Sequence, residues 1–314
     1  MPTPKTLAPR AAVGTASSRG ARPRRRGRRP HWVFALPAAV FLAAFSLYPL
    51  VQLVRMSFSA VTSGTLNQAW QSVGLDNYLR ATESGEMQAA LMRTAAFVVV
   101  VTLSGMILGI AGAIALRTRG RWSSIVLAVM VFCWALPPVV NGSVWKFLLA
   151  KDGLVNSIAL GLGLTDTAYP FLYDQTWALM SVAFVCSWAV IPFNVLVFRA
   201  ALMQIDQEQF EAAALDGANR WQEVRHVMLP AVRPTTLVLL ILTVVYGFRS
   251  FDYIYVMTYG GPGTATNTLP FLGFLQAFQR YDYGLGAATS VIAVALVLVL
   301  AAVYARSILK EEKE

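Results

Sequence analysis

The sequence predicts an all-α fold, a polytopic membrane bundle of six transmembrane helices, and composition is the first reason. Of the 314 residues, 56% are hydrophobic and only 13% are charged, whereas soluble proteins carry roughly 25% charged residues. The second reason is six apolar segments, each about the 20 residues needed to cross the hydrocarbon core. Because that core offers no water to unpaired backbone groups, each segment is predicted to be helical. The segments are residues 32–54, 94–116, 124–145, 177–198, 236–258 and 285–305.

Residues 1–31 form a basic tail before the predicted transmembrane domain, residues 32–314. The tail holds nine Lys and Arg residues and no acid, which leaves a net charge of +1 for the rest of a chain that totals +10. A nucleic-acid partner is therefore not indicated. The composition of the tail predicts disorder, with contact to anionic membrane lipid as a secondary role. A secretory or twin-arginine signal is disfavoured, because the next apolar run is too long and lacks an A-x-A cleavage site.

The distribution of Lys and Arg among the loops predicts the orientation of the spans. With the N-terminus in the cytoplasm, the inner segments hold 19 of the 26 Lys and Arg residues, and the outer loops hold seven. Six spans then place both termini in the cytoplasm, as in a multi-pass protein of the cytoplasmic (inner) membrane. The loop at 199–235 is predicted to be cytoplasmic, and the loops at 55–93, 146–176 and 259–284 are predicted to lie outside.

Two similar motifs, Trp134–Pro137 and Trp188–Pro192, each place a proline inside a predicted span, Pro137 in the third and Pro192 in the fourth. Proline removes a helix hydrogen bond and tends to kink or break the helix. Two interpretations stay open for each: a kink tolerated by packing, or a broken helix that lines a transport pathway.

The cytoplasmic loop contains two predicted short helices. Asp206 and Gln209 have the spacing of a capping box, and the residues that follow are strong helix formers. Gly217 supplies a left-handed stop, so the first helix is predicted over residues 207–215. A second helix is predicted from about residue 219 to 228, ended by Leu229-Pro230.

The first of these helices is too short to be stable alone in water, so we expect it to pack on something. Its acids, Glu208 and Glu211, favour a basic partner, and its apolar residues favour burial. Docking on a partner and lying on its own bundle both remain open from the pattern alone. The predicted buried face consists of Phe210, Ala213, Ala214 and Leu215.

This loop resembles the EAA signature of ABC importer permeases, whose pattern is E-A-A-x-x-D-G-A followed by Leu-Pro and a later Pro. The matching residues are Glu211, Ala212, Ala213, Asp216, Gly217, Ala218, Leu229, Pro230 and Pro234, with Val224 where the family often has Phe. Residues 251–258 (FDYIYVMT) and Gly260-Gly261-Pro262 are similar to the carbohydrate-uptake branch, and so, more weakly, are Trp145 and residues 153–156. The resemblance covers about residues 32–310.

The resemblance implies a permease similar to the first membrane subunits of maltodextrin, multiple-sugar and glycerol-3-phosphate importers. Such subunits work with a homologous second permease, two ATP-binding cassette subunits and an extracytoplasmic sugar-binding protein. The partner cassettes bind ATP, and this chain is expected to hold no cofactor. The family's coupling helix sits on the ATPase, and that role is carried to Glu208, Glu211, Ala212, Ala213, Asp216 and Gly217.

The resemblance also places a substrate pathway in the fourth and fifth spans. Phe193 and Tyr246 could stack on a sugar ring, and Thr243 and Ser250 supply hydroxyls. Arg249 and Asp252 are three residues apart, so they are predicted to share a helix face and to pair or to face a wet cavity. Other positions near the family's sugar contacts are Cys186, Ala189, Val190 and Gly247.

Three alternatives are weighed against this interpretation. A permease of the same family for glycerol-3-phosphate or a glycerophosphodiester would share the EAA loop. An ion-coupled transporter would predict paired carboxylates in the spans, where we find only Asp252. An enzyme is disfavoured because the chain has no G-x-x-x-x-G-K-[ST] phosphate loop and no G-x-S-x-G motif. His31 and His226 are too far apart to suggest a metal site, and Cys133 and Cys186 are interpreted as small buried hydrophobes.

Overall fold

The computed structural model describes residues 32–118 and 120–311, and most of them are helical, as the sequence predicts. Three turns are π-helical, at Ala43–Leu47, Val224–Met228 and Leu275–Gln279. The elements in chain order are α1 (Trp32–Leu42), α2 (Tyr48–Ser57), β1 (Ser59–Ala60), β2 (Gln71–Ser72), α3 (Asp76–Glu83), α4 (Glu86–Ala115), α5 (Arg121–Ala135), α6 (Pro138–Leu148), α7 (Leu154–Gly161), α8 (Ala178–Leu202), α9 (Gln207–Leu215), α10 (Arg220–Glu223), α11 (Leu229–Ala231), α12 (Arg233–Arg249), α13 (Phe251–Met257), α14 (Leu269–Phe274) and α15 (Tyr283–Glu311).

The chain divides into two units, Met1–Pro49 and Leu50–Glu314. The described part of the first unit is helical from Trp32 onward, with the π-helical turn in its course. The predicted tail, residues 1–31, lies outside the described residues. The second unit contains the remaining helices and the two-stranded antiparallel hairpin of β1 and β2.

Among the described residues, five helical segments are long and apolar enough to cross a membrane, and a sixth span results if one bent pair is counted. The five are Ala35–Ser57, Glu86–Ala115, Ala178–Leu202, Arg233–Met257 and Tyr283–Tyr304. They agree with five of the six predicted spans, although the second starts at Glu86 rather than at residue 94.

The third predicted span is not one continuous helix. It consists of α5 and α6, which meet at an angle of 102°. Leu136 and Pro137 connect them in extended conformation, so the helix is broken at Pro137, and a role in a transport pathway stays a prediction. The helix α8, by contrast, runs through Pro192 without interruption.

The core of the second unit is the packing of α4 on α8, and three glycines of α4 permit it. Gly105, Gly109 and Gly112 face α8, at the spacing that lets membrane helices approach closely. A Cβ atom on Gly109 would lie 2.7 Å from the Cβ of Asn194, and one on Gly112 would lie 2.8 Å from a methyl of Val195. The two backbones are therefore in near-direct contact.

The three predicted outer loops contain structure that the hydropathy pattern does not show. The first holds the hairpin and α3, and the second holds α7. The third folds back as α14 and its π-helical turn, whose inner face, including Phe271 and Gln276, is buried. Small residues explain the burial, because Gly273 and Gly286 bring this segment against α15.

Two ion pairs tie these outer segments together. Arg280 donates two hydrogen bonds to the carboxylate of Glu86, at 2.7 and 2.9 Å, and the hydrogen bond raises the pKa of Arg280. Arg80 pairs with Asp282 at 2.6 Å. These exposed pairs contribute little to the free energy of folding. They join the ends of α3 and α4 to the segment that precedes α15.

We expect the substitution Gly109→Ala to destabilise the protein by about 1–3 kcal/mol, because the added methyl overlaps Asn194. The matched control is Gly161→Ala, since Gly161 also lies in a helix and a Cβ there meets nothing within 4 Å. Thermal unfolding of both variants in mild detergent measures the difference. Equal melting temperatures would show that α4 and α8 are not closely packed.

Candidate functional site

The EAA loop folds around the helix α9, whose bounds, Gln207–Leu215, match the predicted range. Gly217 adopts φ 75°, the predicted left-handed stop. The predicted capping box is wrong, because the side chain of Asp206 makes no capping hydrogen bond. Instead, the backbone carbonyl oxygen of Asp206 accepts a hydrogen bond from the backbone N–H of Gln209 at 3.1 Å.

A capping box instead begins the second helix of the loop. The backbone N–H of Gln222 donates to the side-chain oxygen of Asn219 at 3.0 Å, and the backbone N–H of Asn219 donates to the side-chain oxygen of Gln222 at 2.8 Å. The helix then continues through Val224–Met228 and α11 to Ala231. The predicted end at residue 228 is thus three residues short, because Pro230 occupies a first-turn position of α11, where its missing N–H is not needed.

Phe210 is the residue that attaches α9 to the bundle, and it is only 7% exposed. It packs in an apolar cluster with Phe198, Leu202 and Met228. The guanidinium of Arg117, just after α4, lies 3.9 Å from the centre of the Phe210 ring, a distance at which a cation–π attraction operates. This contact could not be predicted from the sequence, since the two residues are remote in the chain.

The prediction that Ala213, Ala214 and Leu215 of α9 are buried with Phe210 is wrong. Leu215 is 90% exposed, Ala214 is exposed, and Ala213 is half-buried. A leucine in water is unfavourable unless another surface covers it, so the helix presents apolar surface outward. The exposed predicted coupling residues share this surface: Glu208, Glu211, Ala212, Asp216 and Gly217.

The two helices of the loop enclose a groove of about 530 Å³. Ala212 and Ala213 line one side, and Gln222 and His226 line the other. Within the described residues, Glu208 and Glu211 form no ion pair. Uncovered acids beside a groove and an exposed leucine make a surface suited to a basic, partly apolar partner.

A second candidate site lies where the third and fifth spans break. The fifth span is interrupted at Ser250, which ends α12 and begins α13. The half-helix α6 packs on α13, and Gly142 of α6 permits the approach. A Cβ atom added at Gly142 would lie 3.6 Å from side-chain atoms of both Tyr253 and Met257. Lys146 donates to the carbonyl oxygen of Val256 at 2.9 Å, which satisfies a carbonyl near the end of α13.

A cavity of about 200 Å³ opens at these two breaks. Four of the six residues predicted for the substrate pathway line it, together with Pro138 and Tyr253. The four are Tyr246, Arg249, Ser250 and Asp252. Arg249 and Asp252 both line the cavity, although the break at Ser250 places them on different helices, and the described residues show no ion pair between them.

A chain of polar contacts crosses this region. Asn141 of α6 donates to the hydroxyl of Tyr253 at 3.4 Å, and the hydroxyls of Tyr253 and Tyr246 lie 3.4 Å apart. The hydroxyl of Ser250 donates to the carbonyl of Tyr246 at 2.7 Å and lies 3.2 Å from the sulfur of Cys186. Sequence reasoning missed Asn141 and Tyr253, although an amide inside an apolar span is itself a signal.

The other two predicted pathway residues lie apart from this cavity. Thr243 is buried and hydrogen-bonded to Asn194 at 3.2 Å, beside the glycines of α4. Phe193 stacks on Trp134 with ring centres 5.5 Å apart. Both make contacts that join helices.

Comparison with known proteins gives a consistent result. The family described as "Binding-protein-dependent transport system inner membrane component" matches residues 102–309. A diacetylchitobiose uptake permease, DasB of Streptomyces coelicolor, is 30% identical over 96% of this chain and 93% of its own length. The trehalose/maltose transport permease MalF of Thermococcus litoralis is 33% identical over 74% of this chain and 78% of its own.

Solved structures share the fold. A bacterial ABC transporter for import of the acidic polysaccharide alginate superposes with a TM-score of 0.74 at 22% identity, and it covers 88% of this chain and 94% of its own. The MetNI methionine ABC transporter superposes with a TM-score of 0.54 at 19% identity, over 72% and 95%. The family match and the near full-length relatives together show that this chain belongs to the inner membrane components of binding-protein-dependent transport systems, the permeases of ABC importers.

Proposed function

We propose that this chain is a permease subunit of an ATP-driven importer and that it translocates a mono- or oligosaccharide. An extracytoplasmic solute-binding protein delivers the sugar. Support for a sugar comes from relatives named for diacetylchitobiose and for trehalose and maltose. The geometry that carries the transport role is the exposed α9, with its uncovered acids and its 90% exposed Leu215.

The complete importer in this proposal contains a homologous second permease, two ATP-binding cassette subunits and the binding protein. The cassettes bind ATP, and this chain is not an enzyme. Both termini and the EAA loop face the cytoplasm, as the distribution of Lys and Arg supports. A related alginate importer was crystallised with its pentasaccharide-bound periplasmic protein, which supports the binding-protein partner.

The mechanism follows from the contacts of α9. Closure of the cassettes moves α9, and its Phe210 moves against Arg117 at the end of α4. The hydrogen bond from Arg199 of α8 to the carbonyl of Leu116, at 2.7 Å, couples α8 to the same point. The two permeases then rock and open the cavity near Tyr246 to alternate sides of the membrane.

The complete importer, reconstituted in proteoliposomes, tests the substrate class. We expect ATP-dependent uptake of at least one of maltose, trehalose and diacetylchitobiose in the presence of the cognate binding protein. Uptake of glycerol-3-phosphate without uptake of any sugar would replace the sugar proposal by the alternative permease of the same family.

We expect the substitution Glu211→Lys to reduce uptake by roughly tenfold or more, because it puts like charges together at a docked surface. The variant should insert normally, since Glu211 is exposed and contacts no core residue. The control is Glu83→Lys, an exposed acid at the end of α3. A stably assembled Glu211→Lys importer that transports at the normal rate would remove the coupling role.

We expect the substitution Tyr246→Ala to raise the apparent KM for sugar roughly three- to tenfold, through loss of an aromatic ring at the cavity. Assembly with the cassettes and basal ATP hydrolysis should stay normal. Tyr173→Ala, in an exposed loop, is the control. Unchanged KM and rate in Tyr246→Ala would show that the substrate does not pass this cavity.

A further inference from the structure

Three aromatic rings lie in a row along the outer half of the fifth span. Phe251 and Tyr255 are one helical turn apart on α13, with ring centres separated by 5.5 Å. Tyr259 follows the end of the helix, and its ring centre lies 5.3 Å from that of Tyr255. We call these three residues the aromatic row. It begins next to Ser250 and Asp252, which line the cavity at the helix breaks.

Two rings of α14, Phe271 and Phe274, pack against one side of the aromatic row. Phe271 is fully buried and meets Tyr259 edge to face at 5.6 Å. Phe274 meets Tyr255 in the same way, also at 5.6 Å. Edge-to-face contacts of this kind fix ring orientation. The rings of the row are therefore positioned by their neighbours rather than free to rotate.

Two rings of the row nevertheless stay uncovered on their other side, while Phe251 is half-buried. Tyr255 is 42% exposed and Tyr259 is 46% exposed. Rings whose only role is core packing would be buried, as Phe271 is. Tyr259 also adopts φ 52°, a left-handed conformation that is strained for a bulky residue and tends to occur at functional positions.

The direction of the row argues against an anchor in the lipid headgroups. Interfacial belts place Tyr and Trp at one depth in the membrane. Here α13 continues the candidate span Arg233–Met257, so successive rings step in depth by about one helical pitch, roughly 5 Å. The row therefore runs along the span toward Ser250 and Asp252, which line the cavity, rather than across the membrane surface.

We propose that the aromatic row is a stacking path for the sugar rings of an oligosaccharide, which guides the chain from the outer surface to the cavity. This inference rests on the proposed sugar transport. Sugar rings have an apolar face that packs on aromatic rings, and ligand sites combine such rings with a few polar groups. The polar groups here are the hydroxyl of Tyr259, which accepts from the side-chain amide of Gln279 at 2.7 Å, and the groups of the cavity.

The test compares chain lengths in the complete importer. Maltose, maltotriose and maltotetraose serve as probes, or the matching chitooligosaccharides if the wild type imports those. Tyr255→Leu and Tyr259→Leu remove one ring each, and Tyr255→Phe keeps the ring. Tyr173→Leu, an exposed tyrosine outside the row, is the control.

We expect each Leu variant to raise the apparent KM roughly two- to tenfold for the longer sugars, and less for the disaccharide. Tyr255→Phe and the control should match the wild type. Leu variants that match the wild type at every length would overturn the aromatic row as a sugar path. So would variants that lose the second permease on purification, because the row would then be an interface between subunits.

Failure of the sugar proposal itself is a separate result. It appears as a wild-type importer that takes up no sugar of any length, whatever the variants do. The inference on the aromatic row is tested only by the variants in an importer that does take up sugar, so the two failures are distinguishable.

Discussion

The constraint on which the rest of this structure depends is that two apolar spans break inside one bundle. A broken helix exposes backbone groups that hydrocarbon cannot satisfy. This fold packs the two half-helices α6 and α13 on each other, and polar side chains join them. Lys146 reaches the carbonyl of Val256, and Asn141 reaches Tyr253. The small cavity, the polar groups around it and the start of the aromatic row all follow from this pairing.

The EAA loop was largely predictable because its signals are local. A short run of strong helix formers, followed by a glycine, specifies α9 without reference to the rest of the chain. Its burial was not predictable, since packing depends on neighbours that are distant in sequence. Phe210 finds Arg117 and a cluster of apolar side chains, while Leu215, five residues on, faces outward. Hydrophobicity alone treats the two residues alike.

The spans likewise have some features that the local sequence predicts and others that depend on tertiary contacts. Apolar length predicted five of them, because length and hydropathy are what a bilayer selects. Two interpretations stayed open for Pro137, between α5 and α6, because proline weakens a helix but tertiary contacts decide how far the helix bends. The break at Ser250 carried no proline signal at all. It places Arg249 and Asp252 on different helices, yet both still line the same cavity.

The contact of α4 with α8 has a mechanical consequence. Helices that touch through glycines have no side chains between them to slide or reorient, and a gap there would leave voids. They behave as one stiff rod. With 30 residues in α4, the rod is about 45 Å long, and α9 bears on one tip of it through Arg117. We expect a displacement at that tip to be carried along α4 to its far end rather than absorbed by side chains between the two helices.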